Sequence, residues 1–176
     1  FGSDVGSLNF MYAYTQLMAD FYARVTSNKY VGMTNLESTT LTTISGHKTA
    51  QRNALQTIVT SGRVSDALLF DFSTVDFSSR ASVMGLSQTL EDLGVAALNG
   101  AGQKLTDAKD LVLLGEIVSV WARTSATIRD LNDIAAGNGN NANRTSFAAT
   151  ADTNGLDPAT DPAAAVTTMQ KYFKTT

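Results

Sequence analysis

Four stretches of this chain repeat apolar residues every three or four positions over several helical turns each, and a bundle of long helices is the arrangement that buries four such stripes together. The first runs from Asp4 to Thr26 and carries Leu8, Met11, Tyr12, Met18, Phe21 and Tyr22. The second follows a turn at Tyr30 to Met33. There Thr34 and Glu37 form an S/T-x-x-E capping box, and the stripe Leu41, Ile44, Leu55, Ile58 leads to a stop at Ser61-Gly62. The third starts near Ser79 and reaches Leu98, with Gly100 and Gly102 read as its C-terminal stop. The fourth opens at Thr106-Asp107, carries Leu114, Ile117, Trp121, Ile128 and Leu131, and ends at Gly137.

The connections differ in kind. Arg63 to Ser78 holds Phe70, Phe72 and Phe77 among Asp and Ser without helical period, so a long crossover rather than a tight turn joins the second and third helices. Beyond Gly137 the composition shifts to Gly, Asn, Ala and Thr, which is loop chemistry. Asp161-Pro162 then reads as an N-cap followed by Pro at the first helical position, opening a short terminal helix through Val166, Met169 and Phe173. The expected architecture is all-α: a four-helix bundle over residues 1–136, and an extension over 137–176 packed on the bundle or on a neighbouring subunit.

Composition narrows the function classes. At 176 residues the chain suits one domain, and 43% hydrophobic against 16% charged residues leaves a neutral, Thr/Ser/Asn/Ala-rich surface. The net charge is -3 and no segment gathers a Lys/Arg cluster, which argues against nucleic acid as a partner. The apolar runs Ala67 to Phe70 and Leu111 to Leu114 are core-sized, so no membrane span is expected. Absence of cysteine removes thiolate chemistry and disulfides. The start at Phe1, without initiator Met, gives the expectation of a processed, extracytoplasmic protein.

The inward faces carry two anomalies. The first stripe reads Leu8, Met11, Thr15, Met18, Tyr22; the second Leu41, Ile44, Lys48, Gln51, Leu55; the third Met84, Glu91, Val95, Leu98; the fourth Leu114, Ile117, Trp121, Thr124, Ile128. Lys48 and Glu91 thus stand at core positions.

Several local sequences resemble the bacterial ferritin-like domain proteins related to plant desiccation-related proteins. They are Phe1-Gly2-Ser3-Asp4 with Leu8-Asn9-Phe10, Ala19-Asp20-Phe21-Tyr22, Arg80-Ala81-Ser82-Val83, Glu91-Asp92-Leu93-Gly94-Val95 with Asn99-Gly100-Ala101-Gly102, Ile117-Val118-Ser119-Val120 with Ala122-Arg123, and Ile128-Arg129-Asp130-Leu131. The resemblance implies a ferritin-like bundle. Di-metal members of that superfamily take a Glu from each of two helices and a Glu-x-x-His pair from each of the other two. Matched onto this chain, the first Glu falls on Thr15, with Met18 one turn later; the second-helix pair falls on Lys48 and Gln51; the fourth-helix pair falls on Trp121 and Thr124. Only Glu91 keeps a ligating side chain.

An ammonium and a single carboxylate do not hold two divalent cations, so the expectation is a degenerate site with no metal, no cofactor and no catalytic residues. Lys48 and Glu91 are expected to pair with each other, because burying either ion alone costs several kcal/mol. The expected role is a non-catalytic structural subunit that packs with copies of itself into an oligomer, filament or larger complex. The alternative is a metal-binding or stress-protective protein with an unconventional site around Glu91. Other signals are weaker. His47, the only histidine, is expected to be packed or partly exposed rather than a general base. Asp152, Asn154, Asp157 and Asp161 fit turn chemistry better than a calcium loop. Asn143-Arg144-Thr145 matches a glycan acceptor.

Overall fold

The computed structural model describes residues 3–137 and 152–174. Its elements are α1 (Asp4–Ser27), α2 (Asn35–Ile58), α3 (Arg80–Gly102), α4 (Ala108–Ala135) and α5 (Pro162–Met169), followed by one 3-10 turn, Gln170–Tyr172. The four long helices form a bundle in which α1 packs mainly on α2 and α3 on α4, while α2 and α4 barely touch.

Each helix begins where a side chain satisfies free N–H groups. Ser3 caps α1, Ser79 caps α3, Asp107 caps α4, and Asp161 caps α5 ahead of Pro162. Thr34 and Glu37 close the capping box on α2, and Glu37 also receives Arg80 at 2.7 Å. Arg80 in turn donates to the Leu131 carbonyl, so one guanidinium ties the starts of α2 and α3 to the end of α4. At the opposite end the Asp4 carboxylate accepts from the backbone of Thr106 and Asp107, joining the starts of α1 and α4.

The crossover, residues 59–79, owes its form to packing. Phe72 lies against Phe21, Phe77 and Tyr172, and Phe70 against Phe173, in one aromatic cluster at the side of the bundle. Asn9, Tyr12 and Gln16 of α1 hold the crossover through bonds to Gly62, Asp66 and Ser65. An isolated antiparallel bridge between Phe70 and Phe173 then fastens the C-terminal segment across it. These phenylalanines show no helical period because they answer to neighbours from distant parts of the chain.

The structure corrects three expectations. The third helix does not stop at Leu98: it continues through Gly100 to Gly102. Gly100 is there to let another segment approach, since a Cβ at that position would lie 1.7 Å from the Thr160 carbonyl oxygen. The second helix ends at Ile58, ahead of Ser61-Gly62, and the terminal helix ends at Met169 rather than running to Phe173. Among the described residues α4 is also long and apolar enough, by length and composition, to cross a membrane. Its apolar residues are interspersed with small ones, so no continuous run shows, and only Glu116 and Arg123 are charged between Leu111 and Ile128.

The described part of the extension sits on its own chain. Ala165 and Met169 are buried, α5 packs on α3 and α1, Thr160 donates to the Ala96 carbonyl, and Lys104 pairs with Asp161. Replacing Gly100 with alanine is expected to push this segment off α3, costing about 1–3 kcal/mol as an overpacked contact. Limited proteolysis checks it: cleavage between residues 152 and 174 should appear at protease levels that leave the parent chain whole. Expectations that fall on residues 138–151, including the glycan acceptor at Asn143, lie outside the described residues.

Candidate functional site: a charged cluster at the centre of the bundle

The helical period brings Lys48 of α2, Glu91 of α3 and Trp121 of α4 to the same level, and Tyr22 of α1 beside them. Lys48 Nζ lies 2.7 Å from Glu91 Oε2, with the two side chains 1% and 0% exposed. The same ammonium sits 3.3 Å from the centroid of the Trp121 ring, a cation–π contact in a dry surrounding. Trp121 Nε1 donates to Gln51 Oε1 at 2.7 Å, and its ring packs against Tyr14 at a centroid distance of 5.4 Å. Gly94 is what makes room: a Cβ there would meet the Trp121 ring at 2.3 Å.

The expected pairing of Lys48 with Glu91 is present. Of the other ligand-equivalent positions, Thr15 donates to the carbonyls of Met11 and Tyr12, and Thr124 to that of Val120, so both are satisfied by their own helices. Gln51 serves Trp121, and Met18 is fully buried apolar surface. One acceptor is left over. Glu91 Oε1 and the Tyr22 hydroxyl are both buried without a partner at hydrogen-bond geometry, although the two groups lie close enough for Tyr22 to lower the carboxyl pKa.

Electrostatically, burial opposes both charges of the pair and their mutual attraction supports them. Burial lowers the Lys48 pKa to about 8 against the pull of Glu91, and burial raises that of Glu91 against the pull of Lys48. Burial also keeps the Tyr14 and Tyr22 phenols well above their ordinary value. Since an unfolded lysine titrates at 10.5, the unfolded chain holds a proton between about pH 8 and 10.5 that the folded chain has released. Stability contributed by this group is therefore least below pH 8 and rises through that window. Denaturant titrations should show it as a difference between the parent chain and a Lys48→Met/Glu91→Leu double variant, climbing by up to about 1.4 kcal/mol per pH unit. A flat difference would remove the buried lysine as a titrating group.

The residues do not fit a dinuclear metal centre. One carboxylate faces an ammonium where a ferritin-like di-metal site needs several carboxylates and imidazoles, and among the described residues no three His, Cys, Asp or Glu side chains come together as a metal-binding group. His47 is exposed and stands outside the cluster. Asp152 closes its own turn by accepting from Asn154 and Leu156, and Asp161 caps α5, so these residues act as turn and cap groups. Sequence reasoning missed Asp92, which accepts from Ser125 and pairs with Arg129 beside the cluster, linking α3 to α4. Its adjacency to Glu91 and the four-residue spacing of Ser125 and Arg129 were the signals for it.

The comparisons fit the bundle. No curated protein matches the sequence significantly. A family model described as "Ferritin-like domain" matches residues 3–133, which covers all four long helices up to the last turn of α4. The chain belongs to the ferritin-like domain family.

Proposed function

We propose that this chain is a metal-free, non-catalytic ferritin-like subunit whose role is structural, packing with copies of itself into a larger assembly. The observation that carries the reading is the Lys48 ammonium, fixed between Glu91 and the Trp121 ring where metal cations would need to sit. A fixed positive charge there repels divalent cations and occupies the surviving carboxylate. The surface supports assembly. Only 16% of residues are charged, and Val31, Leu36, Leu69, Leu111 and Val112 lie exposed. Placement outside the cytoplasm and kinship with desiccation-related proteins belong to the same proposal and rest on the sequence resemblance alone. The competing reading, a metal-binding stress protein, draws on Glu91 Oε1, which has no hydrogen-bond partner.

Elemental analysis after exposure to Fe(II) and Mn(II), together with light scattering across a concentration series, tests both halves. The expected result is no stoichiometric metal and a particle many times the 18.6 kDa chain mass. Two metals per chain lost on Glu91→Gln would establish the competing reading instead. A monomer at every concentration would end the assembly proposal.

A further inference from the structure

Because α2 and α4 barely touch, a cleft of about 530 Å³ opens between them, within the range of small-molecule sites. It borders the central cluster through Gln51 and Thr124 but does not include Lys48 or Glu91. We propose that this cleft binds an aliphatic monocarboxylate, a medium-chain fatty acid, with the carboxylate on Arg123.

Three features of the lining select that chemistry. First, the walls are methyl surface. Ile44, Ala50 and Val120 are apolar, and Thr43, Thr124 and Thr127 already donate their hydroxyls to carbonyls of their own helices, so methyl surface is chiefly what they offer. Among the described residues no Phe, Tyr or Trp lines the cleft, so the broad ring faces on which a base or sugar usually stacks are missing. Second, beside the hydroxyls of Thr39 and Thr40, the nitrogen-bearing side chains of the lining have donors to spare. Arg123 makes no side-chain hydrogen bond or ion pair with any described residue, whereas Arg24, Arg63, Arg80 and Arg129 are each paired with a carboxylate. Gln51 gives its oxygen to Trp121, which leaves its amide N–H groups unused at the cleft wall. His47 stands on the same wall as Ala50 and Gln51. Third, among the described residues no Asp or Glu lines the cleft, although the chain as a whole is acidic. A site with one guanidinium and no carboxylate favours a single negative charge and disfavours amines.

The shape agrees. Gln51 faces Trp121 while Glu37 and Leu131 meet on Arg80, so the two helices run antiparallel. The cleft follows α2 from Thr39 to Gln51, about 18 Å at the helical rise, which accommodates an extended alkyl chain. The inference is independent of the assembly proposal, because the cleft lies within one chain.

The single tryptophan provides a reporter, since Trp121 is bonded to Gln51 in the cleft wall. Octanoate below its micellar range, titrated into the full chain, is expected to change Trp121 emission saturably and to shift the methyl resonances of Val120 and Ile44. Arg123→Gln, at an exposed position, should keep the parent melting temperature and weaken octanoate by about tenfold or more, the worth of a charge-assisted bond. Octylammonium and acetate should leave the methyl resonances unmoved. Equal binding of octanoate by Arg123→Gln, equal binding of octylammonium, or no octanoate-dependent shift by either readout would overturn the proposal. Acetate acting as strongly as octanoate would also overturn it, since the alkyl chain would then contribute nothing.

Discussion

Replacing Lys48 with methionine is expected to lower the unfolding free energy by about 3–5 kcal/mol, because the buried Glu91 carboxyl then loses its counter-charge. The side chain it would lose is 1% exposed and makes one ion pair and one cation–π contact. Methionine fills a similar volume, so the loss measures charge rather than a cavity. Glu91 responds by taking up a proton, which limits the cost and makes the variant more stable in acid relative to the parent. The double variant Lys48→Met/Glu91→Leu removes both ions and is expected to return close to parent stability or exceed it. Denaturant unfolding of the parent, both single variants and the double gives the coupling energy directly. A methionine variant as stable as the parent would show that the pair is worth nothing beyond its own desolvation.

Truncating Trp121 to alanine should cost a comparable amount, about 3–5 kcal/mol, for a different reason. The indole is fully buried, contacts Tyr14, and fills the space that Gly94 leaves open on α3. Its removal opens a cavity in the centre of the bundle, takes the π-face from Lys48 and strands the Gln51 oxygen. Trp121→Phe separates these effects: it keeps a ring under the ammonium but loses the N–H donor, so only part of the loss should remain, about 1–3 kcal/mol. Guanidinium unfolding with fitted m-values reads the difference. If Trp121→Ala unfolds within 1 kcal/mol of the parent, to take a rough limit from typical surface changes, the ring does not organise the core as argued.

Much of the fold was legible in the residues because it follows from short-range rules. The capping box at Thr34 and Glu37, the N-cap and proline at Asp161-Pro162, and the stripes on all four long helices depend on neighbours within a turn. Lys48 and Glu91 stood out for the same reason, as charged residues on otherwise apolar stripes, and pairing was the way to bury both.

Tertiary structure decided what depends on distant partners. Gly100 reads as a helix stop in isolation, yet α3 passes through it, because the missing Cβ is what admits the backbone of Thr160, sixty positions further along. The phenylalanines of the crossover have no local period since their partners are Phe21, Tyr172 and Phe173. The α2–α4 cleft, with Arg123 on its wall, depends on how far two helices stand apart, which neither helix's residues encode alone. Helical periodicity fixes which face of a helix is buried, because that is settled by one chain segment and water. What each buried or half-buried group then touches is settled by packing between segments, and only the assembled bundle holds that information.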